Sequence, residues 1–193
     1  MRVYLIRHAQ SEDNAVEING NQRMTRADFN RFMQNAPDSP LTARGQEQAQ
    51  ALAQRLADVP FARLYTSPLP RAMDTAAALA YAQNLTPIVI EDLRELMPPP
   101  LREVGGPATL RRLFLAAYTS MLLSATSTDR LTAASRRARV VWQKIAAEPA
   151  EDVAVVSHGW FITVLLLNLR FDRKWRILSR DITNCGVSLV ASR

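Results

Sequence analysis

Apolar residues recur along this chain in two rhythms. Val3–Ile6, Val153–Val156 and Val187–Val190 are short runs of strand length, and Arg63–Thr66 and Pro87–Ile90 are of similar size. Continuous apolar runs that short, bounded by polar residues, predict strands buried on both faces. Between them lie segments with helical spacing. Ala49, Leu52, Ala53 and Leu56 share one helical face behind Thr42, which stands where an N-cap belongs, and Pro60 closes that helix. Pro70–Ala82, about 108–124, about 130–147 and Trp160–Leu169 read as further helices.

Residues 15–38 are polar and without a clear period, which predicts a long loop with local helix around Asp28–Gln34. Pro37-Asp38-Ser39-Pro40 stops that stretch, and Pro98-Pro99-Pro100 and Gly105-Gly106-Pro107 break the chain again. Short strands alternating with helices predict an α/β fold around a mostly parallel sheet. No repeat, low-complexity tract or linker interrupts the pattern, so residues 1–193 are expected to form a single domain.

Composition narrows the class. At 193 residues, 48% of them hydrophobic and 22% charged, the chain has the make-up of a globular protein with one well-buried core. No apolar run approaches the roughly 18 residues of a membrane helix, and the opening Met-Arg-Val-Tyr-Leu-Ile-Arg lacks the apolar region of a signal peptide. With a single cysteine, Cys185, no internal disulfide framework exists, and a cytoplasmic location without a membrane partner is expected.

Charge adds less. The net charge is +6, with a balance of −1 over residues 1–100 and +7 over residues 101–193. That excess fits either a surface attracting anions or a solvated basic face. Residues 130–144 and 170–180 hold the basic clusters, but Trp175 alone does not make a stacking platform, so no nucleic-acid partner is expected.

Reactive side chains are few, and they exclude several chemistries. Two histidines and one cysteine are too few for a Cys/His zinc site. A cysteine phosphatase needs an arginine six residues after its nucleophile, where this chain has Ala191. No glycine-rich nucleotide loop occurs. No metal and no cofactor are expected.

Reactive groups in parallel α/β sheets gather beyond the carboxyl ends of the strands. His8 follows the first strand, with Arg7 beside it, and His158 follows the strand at 153–156. Arg71 opens the helix after Arg63–Thr66, and Glu95 follows Pro87–Ile90. Two histidines, two arginines and a carboxyl suit a phosphate dianion. Guanidinium matches phosphate oxygens in shape and charge. A neutral imidazole can attack phosphorus, and a carboxyl can protonate the departing alkoxide. Phosphoryl transfer, being mostly positioning and charge stabilisation, needs little more.

The motifs are also recognisable. Arg7-His8-Ala9 with Gln10-Ser11-Glu12-Asp13-Asn14 resembles the Arg-His-Gly signature of the histidine phosphatase superfamily, which includes phosphoglycerate mutases. Asp38-Ser39-Pro40-Leu41-Thr42 with Gly45, Ser67-Pro68-Leu69-Pro70-Arg71-Ala72, Leu93-Arg94-Glu95 and Ser157-His158-Gly159 resemble its further blocks, in family order. The resemblance implies a three-layer α/β/α sandwich, a nucleophile at His8 that becomes phosphohistidine, and a proton donor at Glu95. It also implies a phosphoryl site of Arg7, Asn14, Arg71 and His158. Ala9 departs from the glycine usual after the nucleophile, and alanine is costly there only if the backbone φ is positive.

The activity so implied is hydrolysis of phosphomonoesters, as in a histidine acid phosphatase, on a small phosphorylated substrate or a phosphoprotein. Mutases of the family tend to carry a longer insertion after the acid segment and a C-terminal tail, which favours hydrolysis over mutase-type phosphotransfer here. A catalytically weak phospho-ligand-binding regulator is the alternative of another class. Specificity is expected from residues 15–37, with Arg23, Arg26 and Arg31, and from residues 97–112, with Arg102, Arg111 and Arg112. Ser157 is expected to end its strand, Cys185 to be a small buried residue, and Trp160, Phe161 and the leucines 165–167 to be core.

Overall fold

The computed structural model describes residues 1–18, 21–123, 131–147 and 151–193. In chain order the elements are β1 (Arg2–Arg7), α1 (Glu12–Ile18), β2 (Arg23–Met24), α2 (Arg26–Asn35), α3 (Ala43–Arg55), β3 (Arg63–Thr66), α4 (Pro70–Gln83) and β4 (Ile88–Val89). There follow β5 (Ala108–Thr109), α5 (Leu110–Leu123), α6 (Leu131–Ala146), β6 (Asp152–Ser157), α7 (Gly159–Arg170), β7 (Trp175–Ser179) and β8 (Val187–Ser192). Residues 124 and 130, at the expected ends of two helices, lie outside the described residues.

Six strands form the main sheet in the order β4-β3-β6-β1-β8-β7. The pairs β4–β3, β3–β6 and β6–β1 are parallel, and β1–β8 and β8–β7 are antiparallel. The apolar runs are explained by burial on both faces. Val3, Leu5, Val153 and Val155 point into one layer with Ala138, Val141 and Ile145 of α6 and Phe161 and Leu165 of α7. Tyr4, Ile6, Ala154 and Val156 point the other way, onto Leu52 and Ala53 of α3 and Ala72, Ala76 and Leu79 of α4. Each large buried side chain contributes on the order of 2 kcal/mol, so both helical layers are needed to keep the strands dry.

Thr42 caps α3 as its place in the sequence suggests, its hydroxyl accepting the Gly45 N–H at 3.0 Å. Gly45 itself is required by close approach: a Cβ there would overlap the Gln10 carbonyl oxygen, a backbone atom that cannot swing aside. Gly45→Ala should therefore cost about 1–3 kcal/mol, seen as a lower denaturation midpoint at unchanged slope. An unchanged midpoint would show that the two segments separate freely.

Three expectations need correction. Residues 15–38 are largely helical, not loop: Thr25 caps α2 by accepting the Asp28 N–H at 3.1 Å, while its hydroxyl donates to the Asp28 carboxylate at 2.7 Å. A capping pair of this kind is visible in sequence as Thr25-x-x-Asp28. The strand expected at Pro87–Ile90 shrinks to Ile88–Val89, a half-exposed edge. In addition, β7 has no counterpart among the expected strands, because its Trp-Arg-Ile-Leu-Ser pattern pairs antiparallel at an edge and buries little but Trp175.

A smaller layer sits apart from the sheet. Phe29 of α2 packs on Leu110, Leu113 and Ala117 of α5, and the two-stranded ribbon β2–β5 ties their ends together.

Candidate active site

Parallel pairing brings the reactive residues to one edge. Arg7 lies opposite Ser157, so the residues that follow, His8 and His158, leave the sheet side by side. Their ring centroids are 5.0 Å apart. Thr66 pairs with Val156, which brings Ser67 to the same edge, and the first turn of α4 then carries Arg71. A cavity of about 590 Å³ opens here, lined among others by Arg7, His8, Asn14, Arg71 and Glu95. Five of the six predicted residues therefore line one cavity, and His158 is buried directly against His8.

His8 is held in a defined tautomer. Its Nδ1 lies 2.7 Å from the Ala9 carbonyl, which can only accept, so Nδ1 carries the proton. The lone pair on Nε2 faces Arg71, whose Nε–H donates to it at 3.2 Å. Burial, and then the Arg71 and Arg7 charges, hold the His8 pKa well below the ordinary histidine value. The imidazole is thus neutral, with its Nε2 lone pair turned toward Arg71.

Ala9 fits this arrangement. It is not among the positive-φ residues, which outside glycine are Asn84 and Cys185. Its N–H donates to Thr75 Oγ1 at 3.0 Å and its methyl is fully buried, so alanine in place of glycine carries no backbone strain.

The donors around His8 are aimed by the rest of the fold. Arg71 is nearly fully buried, with one terminal nitrogen donating to the Ala36 carbonyl at 2.7 Å and to that of Pro37 at 3.2 Å. Arg7 donates to the Ile182 carbonyl at 3.0 Å and to Asn14 Oδ1 at 3.5 Å, while its buried Nε has no partner among the described residues. Gly159 leaves room for that guanidinium, since a Cβ would stand 3.3 Å from Arg7 Nε. Asn184, which no sequence pattern singles out, locks the corner by donating to the His8 carbonyl and to Asn14 Oδ1, each at 3.1 Å.

His158 has one nitrogen engaged and one open. Its Nε2 lies 2.8 Å from Ser67 Oγ, and its buried Nδ1 has no partner among the described residues. Ser67 Oγ already accepts the Leu69 N–H at 3.3 Å, and its hydroxyl has no other acceptor among the described residues. In the tautomer where the Ser67 hydroxyl donates to Nε2, the proton sits on Nδ1, which is then an uncommitted donor. Burial, with smaller effects of His8, Arg71, Arg7 and Arg137, holds His158 well below the usual histidine pKa.

Glu95 is fixed at the start of α7. Oε1 accepts the N–H groups of Leu96 at 2.9 Å and Phe161 at 3.0 Å, and Oε2 that of Trp160 at 3.3 Å. These bonds favour the carboxylate, but loss of water around the carboxyl outweighs them and its pKa is raised. Ser157 steadies the segment by donating to the Leu93 carbonyl at 2.7 Å, so it is a strand-end residue as expected. Among the described residues, no group of three or more His, Cys, Asp or Glu side chains is placed to hold a metal ion. No described helix is long and apolar enough to cross a membrane.

Both segments expected to set specificity reach the cavity, through Phe32, Met33 and Ala36 and through Met97, but their arginines do not. Arg23, Arg26, Arg31, Arg102, Arg111 and Arg112 do not line it; Arg31 pairs with Asp28 and Arg23 with the Pro107 carbonyl. The outer arginine is Arg180, from the end of β7. Trp160, expected in the core, is half-buried and lines the cavity, and Leu167 is 47% exposed. Phe161, Leu165 and Leu166 are core, and Cys185 is buried, its thiol pKa pushed up to about 11 by burial.

Comparison with known proteins agrees with this geometry. The model of the histidine phosphatase superfamily (branch 1) matches residues 3–193. A Proteus mirabilis protein named "Probable phosphoglycerate mutase GpmB" is 28% identical over 204 residues, covering 98% of this chain and 84% of that one. Its Serratia proteamaculans namesake is 36% identical over 96 residues, half of this chain and only 38% of that one. Among solved structures, the Entamoeba histolytica phosphoserine phosphatase in complex with 3-phosphoglyceric acid superposes with a TM-score of 0.67 at 23% identity, covering 97% of this chain and 89% of that one. The mycobacterial glucosyl-3-phosphoglycerate phosphatase complexed with VO3 gives 0.62 at 25%, with 89% and 83% covered. With an α/β fold like theirs, and a family match running almost end to end, this chain belongs to the histidine phosphatase superfamily.

Proposed function

We propose that the chain, acting as one domain over residues 1–193, is a metal-independent phosphatase of the histidine acid phosphatase type. It hydrolyses phosphomonoesters through a phosphohistidine on His8. The observation that carries this reading is a neutral His8, its Nε2 facing Arg71, lining one cavity with Arg7, Asn14 and Glu95 while His158 packs against its ring. Nε2 attacks phosphorus as the P–O bond to the alcohol breaks, and the Glu95 carboxyl gives its proton to the leaving oxygen. Arg7, Arg71, His158 and Asn14 hold the phosphoryl oxygens. Water then attacks the phosphohistidine while the Glu95 carboxylate takes its proton, releasing phosphate and restoring both residues. A single, buried cysteine suits a reducing cytoplasm.

Hydrolysis of 4-nitrophenyl phosphate in the presence of chelator tests the reading. Turnover should persist with chelator; activity that appears only with added metal would exclude it. The names of the curated relatives favour a second reading, phosphotransfer to a bound phosphoglycerate. A labelled phosphoryl group that returns to phosphoglycerate faster than it reaches water would establish that instead.

Ser67 is a positioning residue in this scheme, since it sets which nitrogen of His158 carries the proton. Ser67→Ala should weaken inhibition by inorganic phosphate about ten- to hundredfold, the worth of one hydrogen bond to an anion, and Ser67→Thr should restore it. Equal inhibition of Ser67→Ala and wild type would mean that His158 donates without that help.

A further inference from the structure

The cavity is much larger than a phosphoryl group, and its two ends differ in chemistry. At about 590 Å³ it falls within the range of roughly 300–1,000 Å³ that takes a sizeable organic ligand. The inner end holds the cations described above. The outer end is walled by Phe32, Met33, Met97, Phe114, Tyr118 and Trp160, contributed by α2, the segment after Glu95, α5 and α7.

The rings of that wall are ordered. Trp160 stacks on Tyr118 at 4.6 Å and 22°, and Phe114 lies nearly parallel to Tyr118 at 13° with centroids 6.4 Å apart. Phe32 meets Phe114 edge-on at 6.2 Å and 87°. Such a surface receives another flat apolar body by offset stacking or edge contact, and the two methionines adapt to its outline.

Several polar side chains of the outer cavity are already engaged, which leaves chiefly Arg180, Asp13 Oδ2 and the Trp160 indole N–H open among the described residues. Thr163 donates to the Gly159 carbonyl at 2.8 Å, Asn184 to His8 and Asn14, and Asp13 accepts from Ser11. Few partners remain for the hydroxyls of a sugar. A second anion would find only Arg180, which is exposed and has no hydrogen bond or ion pair among the described residues, and it would face the Asp13 carboxylate across the same cavity. Arg180 suits drawing the phosphate end in from solution.

We infer that the substrate is a phosphomonoester whose leaving group carries a flat apolar ring system, seated on the wall formed by Phe32, Phe114, Tyr118 and Trp160. This rests on the phosphatase reading of the inner site and adds the identity of what is released.

The test uses primary alkyl esters, whose leaving groups are similar in basicity, so that chemistry does not mimic recognition. Phenethyl phosphate, ethyl phosphate and 3-phosphoglycerate are compared by kcat/KM. The matching phenethyl- and ethylphosphonates, which cannot be hydrolysed, are compared by calorimetry. Phenethyl should exceed ethyl by about tenfold or more in both measurements, with 3-phosphoglycerate no better than ethyl phosphate. Phe114→Leu and Trp160→Leu should each pull the phenethyl-to-ethyl ratio toward one, a comparison that cancels any general loss of active protein.

Failure of the two readings is distinguishable. No hydrolysis together with a retained phosphonate preference would remove the phosphatase reading and leave this one standing. Equal kcat/KM and equal phosphonate binding would overturn it, as would a preference for 3-phosphoglycerate or failure of both phosphonates to bind.

Discussion

His8→Ala should abolish turnover while leaving the anion site in place. Removing the imidazole deletes the lone pair assigned to attack phosphorus, and the described residues offer no substitute. His158 is buried with its Nε2 held by Ser67, so that nitrogen is not free to attack. Ser157 is bonded to the Leu93 carbonyl, and Cys185 has a thiol pKa pushed up to about 11. The expected loss is on the order of 10⁴-fold or more in kcat. Arg7, Arg71 and His158 remain, so the variant should still bind inorganic phosphate, and because the deleted ring lines an open cavity rather than the packed core the fold should survive. Retained phosphate binding with lost turnover separates a nucleophile from a mere contact. Residual activity within about a hundredfold of wild type would mean that water is attacked directly, without a covalent step.

Glu95→Gln should divide substrates by their leaving groups. An alkoxide needs a proton as it departs and an aryl oxide needs little, so alkyl esters should lose about 10²- to 10⁴-fold and aryl esters less than about tenfold. Glutamine keeps the size and can still accept from Leu96 and Phe161, which limits structural damage at the start of α7. The pH dependence follows from the direction of two shifts. The raised Glu95 pKa keeps the acid form present above the usual carboxylate range, and alkyl turnover falls as pH rises past that raised value. The lowered His8 pKa keeps the nucleophile neutral into acid, so the acid limb should lie below the ordinary histidine value. In Glu95→Gln the alkaline limb should vanish. Equal losses for aryl and alkyl esters, or an unchanged alkaline limb, would assign the proton to another group.

Much of the site is legible in the sequence, for a physical reason. Strands buried on both faces must be apolar throughout, so the polar residues that follow mark the sheet edge, and Arg7-His8 and Ser157-His158 stand at such points. Arg71 is placed by the Pro70 that opens its helix. Glu95 is less determined, because its position depends on capping a helix more than sixty residues away in sequence. What stays hidden depends on packing between distant segments. Phe114 and Tyr118, four apart on α5, have the spacing of core residues, and nothing local says that they face a cavity. Arg180 follows an edge strand with little burial, so neither the strand nor the arginine announces itself. The helices within residues 12–35 are hard to see because α2 is mostly polar and is held by its Thr25 cap and by Phe29 packing on α5 rather than by a broad apolar face.

The central claim is a covalent phosphoryl group on His8. Rapid quenching of the enzyme with a radiolabelled phosphate ester, followed by peptide mapping, tests it most directly. The account predicts an acid-labile, base-stable label on the peptide containing Arg7 and His8, formed at a rate at least equal to kcat and absent from His8→Ala. A turning-over enzyme that never carries label, or carries it on another residue, would contradict the account.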